Sequence, residues 1–204
     1  MATGHGAGAR AGAPPTARAL ALPGGPKLWE RLGFAPGAAI GDVRTTAGAA
    51  ELALAIEDLR AGRPDGLALF VTDARPVAHA QHPNGAIAID HVVALTGDMD
   101  RTLAALRDAG LEVRRERRPP EAPARQAFVN LGTLILEVVQ TGVPEPALWG
   151  VVVVVEDLDA LGPLVGAPRD AVQPGRRIAT VRSEAGLPVA LAFMTPRPQR
   201  SRSS

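Results

Sequence analysis

AIAIDHVVALTGDMDRTLAALRDAGL, residues 86–111, is the stretch whose reading decides the fold. Its first ten residues are apolar and rich in β-branched side chains, which predicts a strand. From Asp98 the period changes, because Met99, Leu103 and Leu106 recur at helical spacing. Asp98 stands where a side chain caps a first helical turn, and Gly110 where a left-handed residue ends the last. Downstream, VRRERR (113–118), RQAFVNLG (125–132) and TLILEVVQ (133–140) read as three further strands, the last two joined by a tight turn at Gly132 and Thr133. The order is βαβββ.

The same order restarts near Leu148: LWGVVVVV (148–155), then EDLDALGPLVG (156–166) as the helical segment, a loop APRDAVQPG (167–175), RRIATVRS (176–183) and PVALAFM (188–194). Sliding Asp98-Met99-Asp100 onto Asp157-Leu158-Asp159 superposes the preceding apolar strands without a gap. A duplicated module explains both matches together. Upstream, RALALPGGPKLWERLGF (18–34), GDVRTTAG (41–48), AELALAI (50–56) and GLALFVT (66–72) form either a third, worn copy or strands added to the sheet. VAHAQHPNG (77–85) reads as the connector.

Outside these segments composition does most of the work. With 204 residues and 46% apolar side chains the chain can fill a real core. Its 22 basic and 21 acidic residues leave a net charge of +1, so no long-range field draws it to nucleic acid or to a membrane surface. Cysteine is absent, so any metal must be held by nitrogen and oxygen. No apolar run reaches the roughly 20 residues of a membrane span. The expected layout is a disordered arm over 1–18, a worn module or added strands with connector over 19–85, βαβββ modules over 86–141 and 147–196, and a frayed tail over 197–204. The expected location is the cytoplasm.

Paired βαβββ modules with a histidine in the first strand and a glutamate in the last resemble the vicinal oxygen chelate superfamily, which includes glyoxalase I, extradiol dioxygenases, epimerases and bleomycin-binding resistance proteins. IDHVVALTGDMDRTLAAL is similar to that group's opening strand and helix, and TLILEVVQ to its closing strand. The resemblance implies an α+β fold in which tandem βαβββ modules form curled mixed sheets, with metal ligands projecting inward from the first and last strands of two modules. On this sequence the ligand pair would be His91 and Glu137, suited to Zn, Ni, Mn or Fe(II). Strand alternation sets His91 on one face with Ile89, Val93 and Leu95, and Glu137 on one with Thr133, Ile135 and Val139. The second module departs from the pattern: aligned on Asp157 and Gly186, it offers Gly150 and Leu191 at these two positions. A divalent metal or none is therefore the expectation for cofactors.

Glu137 is the least bland residue, since an ionised carboxylate within LILEVVQ is costly to bury without a partner. As ligand or as proton acceptor it is the candidate catalytic group, with pairing to an arginine such as Arg125 as the plain alternative. Candidate ligand-binding residues are Arg125, Gln126, Gln173, Arg176, Trp149 and His82, against their plain readings as turn polarity, core tryptophan and connector. Two functions follow: glyoxalase-like, metal-assisted chemistry of the lyase, isomerase or dioxygenase type on a small metabolite, or metal-free binding of a small molecule in the same cup. A homodimer whose two-fold axis lies beside the cavity would bring two His91 and two Glu137 into one four-ligand shell.

Overall fold

The computed structural model describes residues 13–35, 37–118 and 124–198. Of the residues expected in a disordered arm over 1–18, Thr16, Ala17 and Arg18 lie in a strand, while residues 1–12 and 199–204 lie outside the described residues. The described residues form two mixed sheets and two α-helices. The first sheet uses β1 (Thr16–Pro23), β2 (Ala39–Ile40), β3 (Val43–Ala49), β4 (Ala53–Glu57) and β5 (Leu69–Val71), in the order β2-β3-β1-β4-β5, with helix α1 (Pro26–Glu30) after β1.

The second sheet contains the strands read from the deciding stretch. It runs β6 (Ala86–Thr96), β7 (Val113–Arg117), β8 (Gln126–Leu131), β9 (Leu134–Gln140), β10 (Ala147–Val155), β11 (Arg169–Asp170), β12 (Arg177–Thr180) and β13 (Ala190–Met194), in the spatial order β11-β12-β13-β10-β6-β9-β8-β7. Within each half the first strand lies parallel to the last, β6 beside β9 and β10 beside β13. The halves meet where β6 and β10 run antiparallel down the middle. Val92 and Val151, which the alignment of Asp98 on Asp157 equates, are direct cross-strand partners, as two residues on a local two-fold axis must be.

Helix α2 (Met99–Asp108) follows β6 as expected. The Asp98 carboxylate accepts the Arg101 N–H at 3.0 Å, satisfying a first-turn donor. At the other end Gly110 takes φ +90°, and the Leu111 N–H returns to the Leu106 carbonyl. The matching helix expected after Asp157 does not form. The Asp157 side chain instead accepts the N–H of Asp159, two residues on, and the chain passes through turns. Gly162, Pro163 and Gly166 leave too short a run to nucleate a helix.

The N-terminal segments, read as a worn third copy or as strands added to the sheet, form a sheet of their own. β1, α1, β2 and β3 form a βαββ unit in which β1 lies parallel to β3, and β4 then runs antiparallel to β1 with β5 parallel to it. That is the plan of the second sheet with strands missing from both modules. Both sheets bury into one core: Leu20, Leu54 and Ile56 from the first, Val92, Leu136, Val138 and Val153 from the second, and Met99, Leu103 and Leu106 from α2. Phe34 stacks on Phe193 at 5.8 Å between ring centres, and the Asp65 carboxylate accepts from Thr102 and pairs with Arg101. No helix among the described residues is long and apolar enough to cross a membrane.

Asp98 and Asp157 occupy equal sequence positions but unequal structural ones, so their removal should differ. Asp98→Ala is expected to cost about 1 kcal/mol of unfolding free energy, and Asp157→Ala no more than a few tenths, measured by urea denaturation.

Candidate functional site

One face of the second sheet packs on the core through Val92, Ala94, Leu136 and Val138. The other, here called the open face, takes the alternate residues. In register, His91 lies opposite Ile135 and Val93 opposite Glu137, so the imidazole and the carboxylate project to the same side from adjacent strands. His91 Nε2 lies 3.5 Å from Glu137 Oε2. Ile89 does not share that face, contrary to simple alternation. The β6–β10 register slips between Ile89, opposite Val153, and His91, opposite Val152, leaving Asp90 as the extra residue of a bulge. Ile89 therefore stays in the core while Asp90 and His91 both turn outward.

Asp90 is the residue that the sequence reading missed. One of its oxygens lies 2.8 Å from His91 Nδ1, and the other accepts from Arg176 Nη1 at 2.7 Å. Burial works to raise its pKa, but the hydrogen bonds from His91 and Arg176, with their charges, outweigh burial and lower it from 3.8 to about 2. An ionised carboxylate can only accept, so Nδ1 of His91 must carry a hydrogen, and Nε2 is the nitrogen presented to Glu137. Arg176 is 3% exposed and reaches Asp90 from the turn before β12. Its Nε donates to the Thr195 carbonyl at 2.8 Å, and its Nη2 is buried without a protein acceptor among the described residues. A polar chain thus runs Arg176–Asp90–His91–Glu137 across the open face.

Two hollows flank this chain. Asp90 and Arg176 line a cavity of about 610 Å³ together with Phe128, Ile135 and Val154. His91 lines a smaller hollow of about 220 Å³ with Trp149, Gly150, Ile178 and Ala192. The second module's share of the open face is apolar, with Val152, Ala192 and Met194 packed against Ile178. The position matching Glu137 is occupied by Ala192, one residue beyond the expected Leu191. Val93 pairs with Glu137 as Val152 pairs with Ala192, while Leu191 faces the core. The chain between Gly186 and β13 is longer than the turn at Gly132, which shifts the register.

Metal fit follows from this donor set. Nε2 and Oε2 stand at a separation that an ion with bonds of about 2.0–2.2 Å can span, and Asp90 behind Nδ1 is the kind of carboxylate that orients a ligating histidine. Catalytic ions are ordinarily held by three protein groups, and the matching positions Gly150 and Ala192 have no donors. Among the described residues no group of three His, Cys, Asp or Glu side chains converges on one point. Among the described residues the site thus offers two ligands, one fewer than a catalytic ion ordinarily takes.

The remaining candidates separate. Arg125 is committed elsewhere, to Asp100 at 2.7 Å and Glu116 at 2.7 Å, and does not pair with Glu137. The Gln126 carbonyl oxygen accepts from Arg117 Nε at 2.6 Å. Gln173 is exposed in the turn that Arg176 closes with its backbone N–H. His82 is not at a cavity mouth: it is buried, with Nδ1 accepting from the Ala35 N–H and Nε2 facing the Ala39 carbonyl, so it fastens the connector to the first half. Trp149 is 52% exposed beside the smaller hollow and is not a core residue.

No protein-family model matches the chain, and no curated protein sequence matches it. Solved structures similar to it include a methylmalonyl-CoA epimerase from Mycobacterium tuberculosis, at 17% identity and TM-score 0.48, covering 59% of this chain and 95% of that one. A Streptomyces coelicolor methylmalonyl-CoA epimerase variant in complex with 2-nitronate-propionyl-CoA is similar at 19% identity and TM-score 0.45, covering 57% and 99%. A hypothetical protein from Bacillus halodurans C-125 is similar at 14% identity and TM-score 0.43, covering 56% and 97%. The second sheet has the α+β arrangement expected from the sequence, two βαβββ-derived halves joined through antiparallel first strands.

Removing the Asp90 charge leaves Arg176 buried and unpaired, so Asp90→Asn is expected to cost about 3–5 kcal/mol in denaturant titrations at neutral pH. Because the folded pKa of about 2 lies below 3.8, Asp90 stabilises the protein fully above 3.8. That contribution, roughly 1–2 kcal/mol after solvent screening, is lost as pH falls toward 2. The gap between wild type and Asp90→Asn should therefore narrow over that window.

Proposed function

We propose that the open face of the second sheet is a small-molecule site whose chemistry is proton transfer at a carbon beside a carbonyl. The observation that carries this is the polar chain itself. Asp90 fixes the His91 ring, and the ring presents Nε2 within 3.5 Å of the Glu137 carboxylate. Two titratable groups this close, on rigid strands beside a cavity, form an acid and a base ready to act together.

Glu137 takes a proton from the substrate carbon at its carboxylate, and the C–H electron pair passes to the carbonyl oxygen as an enolate forms. His91, with hydrogens on both nitrogens, donates through Nε2 to that oxygen while Nδ1 stays on Asp90. Return of a proton to either face of the carbon gives an epimer or an isomer. Asp90 and Arg176 touch no reacting atom in this scheme and act as positioning residues. A divalent cation shared by His91, Glu137 and the substrate's own oxygens would supply Lewis-acid polarisation of the carbonyl. The two-ligand donor set makes that the lesser form of the proposal.

The second reading is binding without chemistry, favoured by the apolar wall of Val152, Ala192, Met194 and Ile178 and by the exposed Trp149. The two readings differ in deuterium. A panel of 2-oxo acids, 3-oxo esters and malonate half-thioesters is incubated with the protein in D₂O and followed by proton NMR. Proton transfer predicts exchange at the carbon beside the carbonyl that falls about 10²–10⁴-fold in Glu137→Gln and survives chelation. Binding alone predicts no exchange with any compound. Loss of exchange on chelation, with recovery on adding Zn, Ni or Mn, would move the assignment to the cation form.

A further inference from the structure

The cavity of about 610 Å³ is within the range of small-ligand sites, and its charges are unbalanced. Three arginines line it: Arg114 from β7, Arg176 from the turn before β12, and Arg197 beyond β13. The single acid among its lining residues is Asp90, already paired with Arg176 at 2.7 Å. Arg114 has only a loose surface partner, Glu112 at 3.7 Å, and Arg197 has no ion-pair partner among the described residues. The three residues are far apart in the sequence, and the fold brings them to the lining of one cavity.

A second observation is independent of this count. Arg176 is almost fully buried, two of its three guanidinium nitrogens are satisfied by Asp90 and the Thr195 carbonyl, and its Nη2 has no protein acceptor. Guanidinium donors are suited to the paired oxygens of a carboxylate or phosphate. The rest of the wall is mixed, with Phe128, Ile135, Val154 and Pro196 apolar and Asn130 and Thr133 polar. We infer that this cavity binds an organic anion, a carboxylate or phosphate monoester, with its charged end among Arg114, Arg176 and Arg197 and its apolar body against Phe128 and Ile135. Ile135 is the cross-strand partner of His91, so such a ligand lies beside the acid–base pair. This assigns a substrate class to the site proposed above and rests on the open face being that site.

The test is calorimetric titration of the full chain with phenylacetate, phenyl phosphate and the neutral isostere phenylacetamide. The expected result is that at least one anion binds tenfold or more tightly than the amide, and that its affinity falls as salt is raised while the amide's does not. Arg114 and Arg197 are surface residues whose replacement leaves the buried Arg176–Asp90 pair intact. The double variant Arg114→Gln, Arg197→Gln should weaken the anion about three- to tenfold and leave the amide unchanged. The two anions distinguish carboxylate from phosphate. Equal affinity for amide and anions, an unaltered anion affinity in the double variant, or no binding of either anion at millimolar concentration overturns the inference. Binding requires no proton transfer, so anion selectivity without deuterium exchange would sink the acid–base reading alone. Exchange without anion selectivity would sink this one alone.

Discussion

The buried pair of Arg176 with Asp90 is the constraint on which the open face depends. Placing a guanidinium and a carboxylate out of water is expensive, and the attraction between them offsets that cost only when the geometry is good and the remaining hydrogens and lone pairs are used. Here Arg176 also donates to the Thr195 carbonyl, and Asp90 also meets His91 Nδ1. Asp90 lies on the first strand of one module and Arg176 beside the last strands of the other, 86 positions apart in the chain. The pair consequently closes the two modules against each other and orients the histidine in the same act.

Around that pair the two modules have taken different tasks. The first keeps every strand, its capped helix and the Asp90, His91 and Glu137 side chains of the open face. The second has turns where its helix would stand, two residues in β11, and an apolar patch of Val152, Ala192 and Met194 where a ligand set would be. The N-terminal sheet carries the reduction further, with strands missing from both of its units, and it contributes core. Phe34 meets Trp29 edge-on and stacks on Phe193 between the sheets, and His82 pins the connector through both ring nitrogens. Histidine in the connector is thus a fastening, whereas histidine in β6 faces a cavity.

Much of this was legible in the chain. Period-two and helical spacing located β6, α2, β8, β9 and β10, and the cost of burying an acid drew attention to Glu137. The same cost applies to Asp90 in AIAIDHVV, but alternation sends Asp90 and His91 to opposite faces, and the bulge that brings them together has no signature in the local sequence. Arg176 could be read as a candidate ligand residue, but not as the partner of an acid so distant in the chain. Arg125 was drawn away by Asp100 and Glu116, neighbours set by tertiary pairing of α2, β7 and β8. The helix after Asp157 failed because an aspartate side chain serves a turn as readily as a helix cap, and Gly162 and Pro163 tip the choice.

The central claim is that Asp90 holds a hydrogen on Nδ1 of His91 and thereby aims Nε2 at Glu137. Nitrogen-15 NMR of the histidine rings, with His91 assigned by comparison with His91→Gln, reads this directly. The account predicts that the hydrogen of the neutral His91 ring sits on Nδ1. A His91 ring whose Nδ1 is bare while Nε2 carries the hydrogen would contradict it.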